Sequence, residues 1–193
     1  MHARLIAAAL VAAAPATAAA EILNELRVGV AAHAIDINGG NPTAEEGADI
    51  SLETVFASPK FFQYILSPRP YVGASFNTSG GTDFWSAGLI WEQSFLNDRF
   101  FIEGDFGLAR HNGEIDLPPE SDPDYDDILE NRILFGSRTL FHAGAGVGVK
   151  LTPHWRVQAF YEHLSNGRIF GDTDRNQGLD NFGVRIGYRF GGE

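Results

Sequence analysis

The chain has 193 residues, no cysteine and a formal net charge of −11. Without cysteine it can form neither disulfides nor thiolate metal sites. Its acid excess argues against nucleic acid as a partner, because such binding needs clustered Lys and Arg.

Residues 1–20 read as a cleavable signal peptide. Met1, His2 and Arg4 make a short positive start, and an alanine-rich apolar run follows from Leu5 to Ala14. Pro15 and Thr17 interrupt it, and Ala18, Ala19 and Ala20 supply the small residues a signal peptidase needs. The apolar core is too short for a transmembrane helix. The mature chain then starts near Glu21, and 21–193 form a single domain.

Beyond the leader, apolar and polar residues alternate over long stretches separated by turn residues, the period of a β-strand. Eight strands are predicted, at 24–36, 49–58, 69–77, 82–93, 99–111, 139–151, 155–166 and 179–190. Globular strands average about five or six residues, whereas a tilted membrane-crossing strand needs about 9–11, and these segments match the second class. The faces separate cleanly. In the fourth strand Trp85, Ala87, Leu89 and Trp91 oppose Ser86, Gly88 and Glu92. In the eighth, Phe182, Val184, Ile186, Tyr188 and Phe190 oppose Asn181, Arg185 and Arg189. The expected fold is all-β: an eight-stranded antiparallel transmembrane barrel, its apolar face on lipid and its polar face inside. An eight-stranded lumen has room only for interlocked side chains. Glu53, Glu92, Glu103, Asp105, Glu162, Arg156, Arg185 and Arg189 can pair there, so a plugged interior is expected rather than a pore.

The joints near 94–98 and 152–154 are short, and those at 37–48, 112–138 and 167–178 are long. Outer-membrane barrels keep short turns in the periplasm and long loops outside, which sets the expected orientation. The aromatic joint at 59–68 is long for a periplasmic turn and suits the membrane interface. The acidic run Glu120–Asp127 has the oxygens of a calcium loop but lacks the glycine and closing glutamate of an EF-hand, so it reads as a solvated loop. Arg110 and Arg168 fall at outer strand ends, within reach of lipid phosphates. His142 falls on the lumen face as a structural residue.

The seventh strand carries the chemistry. Trp155, Val157, Ala159, Tyr161, His163 and Ser165 share the lipid-facing side, and Asp180 has the matching parity on the eighth strand. A serine needs a base to become a nucleophile, and the base needs an acceptor on its other nitrogen. A lone Ser or His at a strand end is ordinarily a solvated rim residue. Ser165, His163 and Asp180 together in one patch make a candidate catalytic site.

His163-Leu164-Ser165-Asn166, followed by Asn176-Gln177-Gly178-Leu179-Asp180, resembles the motif of the PagL family of lipid A 3-O-deacylases over 161–190. The resemblance implies a barrel with a Ser-His-acid triad facing the outer leaflet. It makes Ser165 the nucleophile, His163 the general base and Asp180 the orienting acid. Asn176 and the amides of Gly167 and Arg168 become oxyanion-hole candidates. The implied partner is lipid A of lipopolysaccharide, in a membrane-embedded protein of the bacterial outer membrane whose self-association is left open. The chemistry requires no metal and no cofactor. The chain departs from the family in reading Gly167-Arg168-Ile169 after the Ser-Asn pair, in a longer loop and in using Asp180 where Glu is commoner. The other readings are a non-catalytic small barrel, adhesin or structural, and a soluble β-sandwich or lipocalin-like binder.

Overall fold

The computed structural model describes residues 22–37, 45–172 and 176–190. The leader at 1–20 lies outside the described residues. The eight strands are β1 (Leu23–Ala32), β2 (Ala48–Phe56), β3 (Arg69–Asn77), β4 (Phe84–Phe95), β5 (Phe100–His111), β6 (Thr139–Lys150), β7 (Trp155–Ser165) and β8 (Leu179–Arg189). Each pairs antiparallel with the next, and β1 pairs with β8, so the barrel closes and no sheet edge is left open. Closure satisfies the backbone of every strand from within the sheet, which a bilayer demands.

The predicted strands match in number and order. The largest boundary difference is in β1, expected to run to residue 36 but ending at Ala32. Ala34 has a left-handed φ of 50°, and its amide donates to Asn181 Oδ1 at 3.0 Å. The chain there bends inward and leaves the ladder.

The exterior is an apolar belt. Leu26, Val28, Val30, Ile50, Leu52, Phe106, Leu108, Val147, Phe182 and Val184 are exposed large side chains on the strand faces. A continuous surface of this kind belongs in lipid and not in water. At the short-turn end a 3₁₀ helix (Lys60–Ile65) adds exposed Phe61 and Tyr64, followed by Leu66. Trp91 Nε1 ties it down by donating to the Ile65 carbonyl at 2.9 Å.

The lumen is filled by charge. Arg27, only 4% exposed, donates to Glu25 (2.7 Å), Glu53 (2.9 Å) and Glu103 (2.7 Å). Arg185 adds a second bond to Glu103 at 2.7 Å, and Arg156 and Arg69 hold Glu92 at 2.6 and 2.7 Å. Beside this network only about 20 Å³ is free along Arg27, Glu53, His142 and Arg185, roughly the room of one water. The interior is plugged, as charge parity suggested. His142 is buried between Asp105 (3.0 Å) and Glu162 (3.3 Å), with the Tyr71 hydroxyl at 2.9 Å.

The long-loop end is stoppered by a small apolar core of Phe84, Ala109, Ile133, Phe135, Leu140, Leu164 and Leu179, with Ala34. Ile133 and Phe135 come from the loop at 112–138, whose acidic run carries no buried residue, as expected of a solvated segment, but ends in secondary structure. A helix, α1 (Tyr125–Asn131), forms within it. Asp126 and Asp127 in its first turn complement the positive end of the helix dipole.

Beside this stopper, the buried side chains of His33 and Glu45 meet at 3.1 Å, and His33 Nδ1 lies 2.8 Å from Asp49 Oδ1. Burial alone would push the His33 imidazole down, but the adjacent carboxylates of Asp49 and Glu45 win and hold it at about 9. A free histidine titrates near 6.5. The charged imidazole therefore adds its full stability below about pH 6.5, and that stability is lost as the pH climbs through about 9. The expected result is a melting temperature in detergent that falls across this window and a flatter profile for His33→Gln. Superimposable profiles would remove His33 from the cap's energetics.

Candidate active site

The last ladder positions of β7 and β8 build the site. His163 lies directly opposite Asp180, and Tyr161 opposite Phe182. His163 Nδ1 bonds Asp180 Oδ1 at 2.6 Å. An ionised carboxylate can only accept, so Nδ1 carries the shared proton, and a neutral imidazole held this way has its lone pair on Nε2. That is the tautomer a general base needs. The pair is on the apolar exterior near its edge, with side-chain exposures of 40% for His163 and 20% for Asp180.

Ser165 ends β7 on the same face as His163, two residues on, a backbone spacing of about 7 Å. The structure contains the His163–Asp180 bond and no hydrogen bond between Ser165 and His163 among the described residues. Such contacts commonly tighten only when substrate is bound. Across the sheet Ser165 faces Phe141, whose ring stacks on Phe170 (4.8 Å) and Phe106 (5.8 Å). An apolar strip thus starts at the serine.

The chain after Ser165 turns through consecutive left-handed residues, Gly167 (φ 62°) and Arg168 (φ 57°). A side chain at Gly167 would meet the Phe141 ring at 2.9 Å, so glycine is needed for both conformation and space. Asn166, fully buried, is the anchor. Its Nδ2 donates to the carbonyls of Phe135 and Asp172, each at 3.0 Å, and its own amide donates to Asn176 Oδ1 at 2.9 Å. The Leu134 amide donates to Gln177 Oε1 at 2.6 Å, so the 112–138 loop braces the second half of the motif.

These bonds sort the expected oxyanion donors. Asn176 turns its oxygen to the Asn166 amide, leaving Nδ2 without an acceptor among the described residues. The Gly167 amide is likewise without one. The Arg168 amide is committed to Asn166 Oδ1 at 2.7 Å, which takes it out of the set. The Arg168 and Arg110 side chains are exposed at this end of the barrel. Gly178 (φ 74°) packs beside the imidazole, where a Cβ would stand 3.3 Å from His163 Cε1.

Residue parity gave no role to Tyr161. Its hydroxyl donates to Asp180 Oδ1 at 2.5 Å, reaching diagonally across the hairpin. The one available signal was its place on the His163 face.

A closed eight-stranded barrel with an apolar belt and a charge-filled lumen is a small β-barrel of the outer-membrane type. The family model of PagL, lipid A 3-O-deacylase, matches residues 64–189, and the chain belongs to that family. Among solved structures it is similar to the outer membrane enzyme PagL, at 18% identity and a TM-score of 0.59, covering 84% of this chain and 97% of that one. It is also similar to the N-terminal β-barrel domain of Pseudomonas aeruginosa OprF, at 11% identity and a TM-score of 0.50, covering 88% and 99%. No curated protein sequence matches it.

Proposed function

We propose that this chain is an outer-membrane esterase that removes the acyl chain at the 3-position of lipid A. Family membership supports the substrate and position. The observation that carries the chemistry is the His163–Asp180 bond of 2.6 Å on the lipid-facing surface, with Ser165 next on the same strand face. In this reading residues 1–20 direct export and are removed, and the long loops face outward, which puts the site at the outer leaflet.

Ser165 Oγ attacks the ester carbonyl carbon as His163 Nε2 takes its proton. The oxyanion that forms is met by the Gly167 amide and Asn176 Nδ2. The tetrahedral intermediate collapses, the acyl–oxygen bond breaks, and His163 returns the proton to the departing sugar oxygen, giving a 3-hydroxyl and an acyl-serine. Water, deprotonated by His163, then attacks the acyl-serine, the acyl–Oγ bond breaks, and His163 returns the proton to Ser165 Oγ as the fatty acid leaves. Asp180 holds the Nδ1 proton and stabilises the imidazolium in both halves. The substrate arrives sideways in the leaflet, its acyl chain along Phe141, Phe170 and Phe106.

Hydrolysis in ¹⁸O-enriched water tests this route. One ¹⁸O is expected in the fatty-acid carboxyl and none in the new sugar hydroxyl. Label on the sugar would contradict acyl transfer through Ser165.

The exposed guanidinium groups of Arg110 and Arg168 have no acceptor among the described residues and suit the phosphates of lipid A. An Arg110→Ala, Arg168→Ala double variant is expected to raise KM for phosphorylated lipid A about tenfold, the scale of a charge-assisted hydrogen bond. KM for a dephosphorylated substrate should not change. An equal rise with both substrates would contradict phosphate binding.

A further inference from the structure

We propose that Tyr161 is a positioning residue that acts through Asp180. This assignment rests on the triad reading above.

Asp180 Oδ1 accepts two hydrogen bonds, from His163 Nδ1 at 2.6 Å and from the Tyr161 hydroxyl at 2.5 Å. Both donors come from β7 and share one face, so a single strand grips the carboxylate from two sides. An aspartate has only two side-chain torsions, and its carboxylate here lies beside a bilayer rather than in free water. With one donor it could swing about that bond. The second donor fixes which oxygen faces the imidazole. A phenol suits this task because it is neutral at working pH and cannot itself compete for the charge on Asp180. Glu162, the charged residue next in the β7–β8 register, faces the lumen and accepts from Asn181, and Asp180 has only these two side-chain partners among the described residues. A lipid-facing tyrosine serving only as an interfacial anchor would turn its hydroxyl to headgroups or water. Here the hydroxyl is spent on the acid.

Because Tyr161 works on the orientation of His163 and touches no substrate, its removal should appear in kcat and not in KM. The test is a double-mutant cycle with Asp180, read on lipid A in mixed micelles. Tyr161→Phe, which deletes only the hydroxyl, is expected to lower kcat about tenfold with KM unchanged. In an Asp180→Ala background the same substitution should cost nothing further. Losses that multiply in the two backgrounds, or a rise in KM alone, would overturn the assignment. Heat-modifiable gel mobility confirms that each variant is a folded barrel. Ser165→Ala run alongside separates the two readings. If it is inactive while the Tyr161 losses multiply, Tyr161 alone is misassigned. If it keeps full activity, the triad falls and the role of Tyr161 with it.

Discussion

His163→Ala is expected to lower kcat for acyl release by roughly 10⁴-fold or more, the scale seen when the base of a serine triad is removed. Ser165 would lose its proton acceptor, and Asp180 would keep only the Tyr161 hydroxyl of its two partners. KM should change little, because nothing in the site assigns His163 to substrate binding. The check is steady-state kinetics on purified, folded barrel. A loss below tenfold would mean that another group serves as base.

The second large effect is on stability. Glu103, with its side chain 1% exposed, is held by Arg27 and Arg185 at 2.7 Å each, by Arg69 at 3.3 Å and by Gln158 at 3.2 Å. Glu103→Ala strands these guanidinium groups inside the barrel without their shared counter-charge. Breaking one side of a buried ion pair costs about 3–5 kcal/mol. Glu103→Gln, which keeps the shape and part of the hydrogen bonding, should cost less. Denaturant unfolding from detergent or bilayers measures both. A loss under about 1 kcal/mol for Glu103→Ala would mean that the lumen is solvated and not a dry network.

Much of the fold was legible because the barrel obeys period two throughout. Parity alone put Phe182 and Val184 on lipid and Glu103 and Arg185 inside, and the structure agrees. Strand length gave the membrane, since ten or more alternating residues exceed what a globular sheet uses. Parity also put His163 and Asp180 on one face, and they are cross-strand partners.

What was not legible depends on reach, register or aperiodic segments. Arg27 is the hub of the lumen, but a strand pattern says only that it points inward, not that it meets Glu25, Glu53 and Glu103 at once. Tyr161 shares a face with His163, yet its bond to Asp180 needs the β7–β8 register and the length of a phenol. Ile133, Leu134 and Phe135 carry no periodic signal. They are buried because the loop folds back over the barrel mouth and offers the Phe135 carbonyl to Asn166. The Arg168 amide looked available as an oxyanion donor until the Asn166 side chain was seen to take it. Local backbone competition of this kind leaves no trace in residue spacing.

The most direct test of the central claim is mass spectrometry of lipid A from Gram-negative cells producing the wild-type chain or Ser165→Ala, with folded barrel confirmed in the outer membrane of both. Lipid A lacking one acyl chain from its 3-position is expected with the wild type and unaltered lipid A with Ser165→Ala. The same loss in both strains, or in neither, would contradict a serine-dependent lipid A deacylase.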